Sequence, residues 1–478
     1  MNDLGKIGDQ VPLVVDVDGT LLRTDILHEQ FLQFVATRPL ESWRLIGWTM
    51  AGKAQLKSTL ATNVDGNLDT VPLADEVLAL IETAKKEGRP VYLASASDRR
   101  HVDELARRIG GVAGVFASDG RLNLSGEAKA GALVGEFGEN GFDYAGNCKA
   151  DYPVWQKARK AYVVSGNHRF HRRAVRDFPG AEAVSRPSGS LRSYFRALRT
   201  HQWAKNVLVF LPTIAGHRFD YASLKNTYLA FFCFCLAASS AYIINDLLDL
   251  PADRAHATKR NRPFASGAIP VAHGPFMAAI LLAAAVAIGW FLSGEFLAVL
   301  GAYVCLTLAY SIDLKRRVLI DVVVLGMLYT LRVLGGVAAV SVAQSPWLLM
   351  FSLFLFLALA VVKRCAELVP ARALGKAALK GRGYVVEDLS VLVSLGAASG
   401  VGAVLVVGLY IFSPEVQKLY TRPEWLWLIC PLILYWISRM ILIAHRGTLH
   451  EDPVVFALTD RVSWYAAALT AAIILIAT

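Results

Sequence analysis

The chain has 478 residues, a net charge of +10 and a mean hydropathy of +0.42, which is too long for one ordinary core, so two domains are expected. The positive balance comes with no nucleic-acid motif, so no nucleic-acid partner is expected; loops facing anionic lipid account for such an excess of Lys and Arg. Six cysteines without CxxC spacing, five of them (Cys233, Cys235, Cys305, Cys365, Cys430) in or beside apolar segments, exclude a disulfide framework and a thiolate metal site and suit a reducing setting.

Met1 to Gln10 is polar and lacks the apolar core of a secretory leader, so the N-terminal domain is expected to stay cytoplasmic. Over the first 190 or so residues apolar runs alternate with charged stretches, as in a soluble α/β protein, whereas from about Asn206 apolar blocks of membrane-spanning length repeat. Leu13-Val-Val-Asp16-Val-Asp18-Gly-Thr20 reads as a strand running into a loop with two aspartates. A second apolar strand, Pro90-Val-Tyr-Leu-Ala-Ser95-Ala-Ser97, ends in hydroxyls, and Lys129, Gly146-Asn147 and Asp151 follow.

These motifs resemble those of the haloacid dehalogenase-like (HAD) phosphatases, with an α/β Rossmann-like fold. The resemblance implies Asp16 as the nucleophile that becomes an aspartyl phosphate and Asp18 as general acid/base. It makes Ser95 and Lys129 phosphate contacts, and Asp16, Asp18, Asn147 and Asp151 the Mg²⁺ site. Asn147 stands where the family usually has Asp; it still offers a carbonyl oxygen but removes one negative charge, which would weaken metal binding. The segment from about 25 to 67 looks like a small helical cap restricting substrate access. Its Trp43, Leu45, Ile46 and Trp48, with Arg44 and Lys53, are expected to pack within the cap rather than lie on a membrane surface. The domain is expected over 1–184, and 185–193, with Ser185-Arg-Pro-Ser-Gly-Ser190, reads as a flexible linker.

The remaining 194–478 contains nine candidate spans, roughly 204–219, 224–244, 273–292, 295–312, 318–341, 345–362, 389–412, 424–444 and 456–477. With the N-terminus inside, the cytoplasmic loops carry Arg254, Lys259, Arg260 and Arg262; Lys315, Arg316 and Arg317; Lys363, Arg364, Arg372, Lys376, Lys380 and Arg382; and Arg446. The opposite loops carry only Arg218, Lys225, Lys418 and Arg422, a strong positive-inside bias. Asp321 and Arg332 fall within one span, three turns apart on nearly the same face, and are expected to line a cavity or to pair with other helices.

After the second span comes Asn245-Asp-Leu-Leu-Asp-Leu-Pro-Ala-Asp253, with Lys259 and Arg262-Pro263 beyond it. On a helix Asn245, Asp246, Asp249 and Asp253 share roughly one face. Crowded carboxylates repel unless a cation binds, and Mg²⁺ takes one or two carboxylates while substrate phosphates fill its other positions, so the array suits a magnesium diphosphate. A merely solvated acidic helix end requires neither this spacing nor the basic cluster.

This run, in a nine-span chain, resembles the UbiA superfamily of intramembrane prenyltransferases, all-α bundles. The similarity is closer to its decaprenyl-phosphate phosphoribosyltransferase branch. The residues that carry it are Arg199-Thr-His-Gln-Trp-Ala-Lys-Asn206, Tyr310-Ser-Ile-Asp-Leu-Lys315 with Asp321, Leu331-Arg332 with Gly335-Gly336, Lys363-Arg364-Cys-Ala-Glu-Leu368, and Arg446-Gly447 with Asp452-Pro453.

The resemblance implies Mg²⁺-dependent transfer of a 5-phosphoribosyl group from phosphoribosyl diphosphate to the phosphate of a polyprenyl phosphate, with diphosphate leaving. Asn245, Asp246, Asp249 and Asp253 would hold the metal. Lys205, Lys259, Arg262, Lys315, Arg332 and Lys363, with Asp321, would line the site for the two other phosphates. The fused phosphatase would then remove the 5-phosphate. The competing reading is an aromatic prenyltransferase that consumes polyprenyl diphosphate, with a regulatory HAD-like domain; it leaves the cationic Lys315-Arg316-Arg317 run with less to do. Both readings place the chain in a bacterial cell membrane with its sites cytoplasmic, and neither gives the oligomeric state.

Overall fold

Leu13–Asp16 (β1) is apolar at successive positions and fully buried, as a central strand of a parallel sheet covered on both faces must be. In the computed structural model, which describes residues 11–478 apart from 65–67, 120–122, 186–188, 343–344, 376, 379–381, 415, 417–419 and 450–451, it is joined by five further strands. Met1 to Gln10, the linker residues 186–188, and Lys376, Lys380 and Lys418 lie outside the described residues, as does the side chain of Lys53. The chain forms two units: Met1–Leu198 with Asp246–Phe276, and Arg199–Asn245 with Met277–Thr478.

In the first unit, Val91–Asp98 (β2), Gly114–Ser118 (β3), Asp143–Gly146 (β4), Lys160–Ser165 (β5) and Glu182–Ser185 (β6) complete a parallel sheet of order β3-β2-β1-β4-β5-β6. Alternation along β1 sends Leu13 and Val15 to one face, against Val77 and Ile81 of helix Asp75–Lys86 and Val102 and Leu105 of helix Arg99–Ile109. Val14 goes to the other face, with Leu133, Val154 and Trp155. The chain order reverses at β1, with β2 on one side and β4 on the other, so their carboxyl ends form the crevice where such sheets bind ligands.

The expected cap is present as helices Ile26–Thr37, Arg44–Met50 and Lys53–Asn63. Phe34, Leu45, Leu56 and Leu60 form its core, and Trp48 meets Phe34 edge-on at 5.1 Å. Trp43 and Ile46 depart from the expectation: they are 69% and 67% exposed, because the short helix turns that face away from the cap core.

In the second unit six helices among the described residues are long and apolar enough to cross a membrane: Tyr221–Leu248, Gly294–Ile312, Ile320–Val340, Pro346–Ala373, Val386–Ile411 and Pro423–His445. The last expected span is instead a pair, Pro453–Thr459 and Arg461–Ala477, bent by 78°. The bend falls at Asp460, which caps the second helix through the Ser463 N–H and holds Arg439 at 2.7 Å. His273–Gly289 is a shorter apolar helix. The expected first span, 204–219, is not one helix: Thr200–Phe210 is a 3₁₀ segment and Leu211–Ala215 a short helix led by Pro212. Its backbone presses on Ile320–Val340 at Gly336, where a Cβ would overlap the Val209 carbonyl.

Candidate active sites

The first candidate site is built at the carboxyl ends of β1, β2 and β4. Asp16 ends β1 and is buried; its carboxylate accepts the Lys129 ammonium at 2.7 Å and the Thr20 hydroxyl at 2.9 Å. Asp18, two residues on, accepts the hydroxyls of Ser95 at 2.9 Å and Ser97 at 2.7 Å, while its other oxygen takes the Ile26 N–H at 2.9 Å. Lys129 also donates to the Tyr144 hydroxyl at 3.0 Å and lies 3.7 Å from Asp151. Tyr144 in turn donates to Asp151, which accepts the N–H groups of Asn147 and Cys148. Asn147 reaches the aspartate loop, where its amide fills the space beside Gly19 (φ 75°) that a Cβ would need.

Burial pushes the Asp16 carboxyl up, to about 7, against the pull of Lys129; the neighbouring carboxylates Asp151 and Asp18 push the same way. Desolvation of Lys129 is outweighed by Asp16 and Asp151, which hold its ammonium above the ordinary value. Burial also drives the Tyr144 phenol well above its usual range, keeping it a proton donor. The geometry therefore brings Asp16, Asp18, Ser95, Lys129, Asn147 and Asp151 together. Sequence reasoning did not single out Tyr144, which bridges Lys129 and Asp151 from an otherwise apolar strand, and no sequence signal marks it. Ser97 was discernible from its place two residues after Ser95, on the same side of the strand.

The acidic motif has a broken backbone. Asn245 and Asp246 lie on Tyr221–Leu248, but that helix stops before Asp249 (φ −96°, ψ 10°), and Asp253 lies on the short helix Leu250–Arg254. Pro251 sits at the start of the second helix, where its missing N–H is tolerated, so the single continuous helix expected from the spacing gives way to two. Asp246 and Asp253 still converge: Arg262 donates to both, at 3.2 and 2.5 Å, and both carboxylates are buried. Asp249 is half-buried at the break, and Lys259 is exposed on the turn that follows.

Among the described residues no group of three or more His, Cys, Asp or Glu side chains is arranged to hold a metal. What fits Mg²⁺ is the donor chemistry, all oxygen in both candidate sites, with substrate phosphates needed to complete a shell.

In the membrane unit Lys205 and Lys363 meet on one carboxylate oxygen of Asp452, at 2.8 and 3.0 Å, and the Tyr329 hydroxyl donates to the other at 3.0 Å. Arg332 lies 5.5 Å from the centre of the Tyr329 ring but is held by other partners: Asn206 at 2.8 Å, the Tyr303 hydroxyl at 2.9 Å and the Leu328 carbonyl. Lys315 donates to Asn245 at 3.4 Å. Asp321 joins none of these. It accepts the Tyr310 hydroxyl at 2.7 Å and lies 3.0 Å from Arg364 Nε and 3.5 Å from Arg382. The contact with Arg364 is an ion pair whose angle falls short of a hydrogen bond. Asp321 and Arg332 thus serve separate groups, and Tyr303 and Tyr329 are additions whose partners, Arg332 and Asp452, lie too far along the chain for spacing to reveal.

The UbiA prenyltransferase family model matches residues 207–465, more than half of the chain. The chain belongs to the UbiA family. It is 38% identical over 474 residues to an uncharacterized protein of Sinorhizobium fredii, covering 98% of this chain and 91% of that one. It is 33% identical over 271 residues to the nodulation protein NoeC of Azorhizobium caulinodans, covering 56% and 87%. With a decaprenyl-phosphate phosphoribosyltransferase of Mycolicibacterium smegmatis it shares 32% identity over 286 residues, covering 58% and 89%. The two shorter relatives are nearly spanned by little more than half of this UbiA chain, so its N-terminal α/β part is an extra domain, consistent with a fusion. The protein is an integral membrane transferase of this family.

Proposed function

We propose that the chain transfers a 5-phosphoribosyl group from phosphoribosyl diphosphate to a polyprenyl phosphate, and that the N-terminal domain then acts as a HAD-like phosphatase on the 5-phosphate of the product. The observation that carries the first step is the convergence of Asp246 and Asp253 on Arg262 within an intact acidic motif. Similarity to a decaprenyl-phosphate phosphoribosyltransferase supports this choice of substrates.

In the transfer, an oxygen of the lipid phosphate forms a bond to ribose C1 as the C1–O bond to diphosphate breaks, and the diphosphate leaves with the bonding pair. Mg²⁺ bound with the diphosphate supplies charge neutralisation of that leaving group. Asp246, Asp249 and Asp253, with Asn245, would hold it, and Arg262 turns from the carboxylates to phosphate oxygens. Buried Lys205 and partly buried Lys363 give a cationic setting suited to a phosphate, with Asp452 fixing their positions; Arg332 orients Asn206 beside Lys205 in sequence.

In the second step Asp16 attacks the 5-phosphate while Asp18 hands a proton to the departing ribose oxygen, and water later releases phosphate from Asp16. Lys129 and Ser95 bind the phosphate oxygens. Asp16, Asp18, Asn147 and Asp151 would hold Mg²⁺, which would offset the repulsion between the carboxylates and the phosphate. In this reading the first domain runs over 1–184, the linker over 185–193 and the membrane transferase over 194–478, set in a bacterial cell membrane with both sites cytoplasmic.

Membranes given labelled phosphoribosyl diphosphate, polyprenyl phosphate and Mg²⁺ are expected to carry label into lipid and to release diphosphate, then phosphate. Asp16→Asn should stop only the phosphate. Lipid labelled instead from polyprenyl diphosphate and an aromatic acid would replace this reading with aromatic prenyl transfer, and unchanged phosphate release by Asp16→Asn would remove the phosphatase step.

A further inference from the structure

The loop that follows the acidic motif is joined to the aspartate loop of the N-terminal site by a buried ion pair. Arg254, adjacent to Asp253, donates from both terminal nitrogens to the two carboxylate oxygens of Glu29, at 2.8 and 3.0 Å, and from Nε to the Ala265 carbonyl at 3.1 Å. Both side chains are at least nine-tenths buried. Glu29 also accepts the Thr24 hydroxyl at 2.7 Å, and the Thr24 carbonyl accepts the Gly19 N–H at 3.0 Å. Gly19 follows Asp18, whose carboxylate is anchored to the Ile26 N–H in the helix that carries Glu29. A second contact locks the same face: at Gly267 (φ 70°) a Cβ would lie 2.6 Å from Arg23 Cβ, so the loop backbone rests directly on the residue before Thr24.

Burying an arginine and a glutamate costs about what their pairing returns, so such a pair adds little net stability. What a bidentate fork does fix is geometry. At one end is the backbone of Asp253, whose carboxylate shares Arg262 with Asp246; at the other is the turn that presents Asp18.

We propose that Glu29 and Arg254 are a positioning pair that couples the two candidate sites, so that a diphosphate bound at the acidic loop changes the turnover of the phosphatase loop and loss of the pair weakens diphosphate binding. The proposal rests on the phosphatase reading of the N-terminal site for its first readout, and on the acidic loop alone for its second. The mechanism is direct: a diphosphate that draws Arg262 away from Asp246 and Asp253 shifts the Asp253–Arg254 backbone, and the fork transmits the shift through Glu29 and Thr24 to Gly19 and Asp18.

The test uses the full chain in detergent with Mg²⁺, p-nitrophenyl phosphate as phosphatase substrate and methylenediphosphonate as a diphosphate that cannot be hydrolysed. In the wild type, saturating methylenediphosphonate is expected to change kcat for p-nitrophenyl phosphate by about fivefold or more with KM unchanged, a response that Asp249→Asn removes. Glu29→Gln and the charge-retaining Arg254→Lys should each lose the response. The Glu29→Gln/Arg254→Gln double variant should be no worse than either single change, because the two act as one unit. Calorimetry should show methylenediphosphonate binding weakened about tenfold by Glu29→Gln.

Wild-type response and wild-type affinity in Glu29→Gln would overturn the coupling, as would a competitive response that persists in Asp249→Asn. If p-nitrophenyl phosphate hydrolysis survives Asp16→Asn, it is the phosphatase reading that fails, and the binding experiment still decides the coupling. Should Glu29→Gln fold poorly, Arg254→Lys carries both measurements.

Discussion

Two ammonium groups share one carboxylate at Asp452, and that arrangement decides what single substitutions in the membrane half will do. Replacing Asp452 by Asn leaves Lys205 and Lys363 facing each other without their common counter-charge. Removing one partner of a buried pair costs about 3–5 kcal/mol, so Asp452→Asn should lower the melting temperature in detergent by many degrees and abolish transfer. Lys363→Met should cost less, because Lys205 and Asp452 remain paired. Glycines give a second contrast: at Gly336 an added methyl group would strike the Val209 carbonyl, whereas at Gly301 it meets nothing within 4 Å. Gly336→Ala is expected to destabilise by about 1–3 kcal/mol and Gly301→Ala to be near neutral, both read from thermal melts. At this scale the family resemblance marked Lys205 and Lys363 as candidate phosphate-binding cations and Asp452 as part of a motif. It could not show that they meet, because their contact joins three separate segments of the chain.

Among the elements, strands and caps followed local rules while helix continuity did not. The apolar run at Leu13–Asp16 and the hydroxyls after Leu93 were legible because a buried parallel strand writes itself as consecutive apolar residues. The acidic motif was legible as chemistry but not as shape: i, i+4 spacing implies one helix, and Pro251 interrupts it while the fold still brings Asp246 and Asp253 to the same arginine. The first helix of the cap is also tied to the sheet domain through a buried polar contact, Gln30 Nε2 to His101 Nε2 at 2.8 Å. Burial lowers the His101 pKa below its ordinary 6.5, and Asp98 and Glu104 only partly offset it. The unfolded chain therefore binds this proton more readily than the folded one, so stability from a neutral His101 is present above pH 6.5 and is lost as the pH falls from there through the lower folded value. The melting temperature of the N-terminal domain should drop on acidification across that window, and His101→Gln should flatten the drop. An unchanged slope in His101→Gln would assign the acid sensitivity to other groups.

For the whole molecule, composition alone divided a soluble α/β half from a membrane half, yet the division drawn along the sequence differs from the one made in space. Asp246–Phe276 belongs to the same unit as Met1–Leu198, because Arg254 and Gly267 find their contacts on Glu29 and Arg23. Hydropathy cannot register such a grouping, since it scores each segment against solvent rather than against a partner. The consequence is testable by truncation. A chain beginning at Leu191 keeps every residue proposed for ribosyl transfer, and the shorter relatives are nearly spanned by this portion, so it should still move label from phosphoribosyl diphosphate into lipid. Without Glu29 the loop after Asp253 loses its fork, and KM for phosphoribosyl diphosphate should rise about tenfold. The labelled lipid should remain phosphorylated, with diphosphate but no inorganic phosphate released. Supplying the N-terminal domain as a separate chain should restore phosphate release only at high concentration, because covalent linkage provides an effective concentration on the order of millimolar. Phosphate release by the truncated chain alone would place the dephosphorylating groups in the membrane half and leave Asp16 without a role in it.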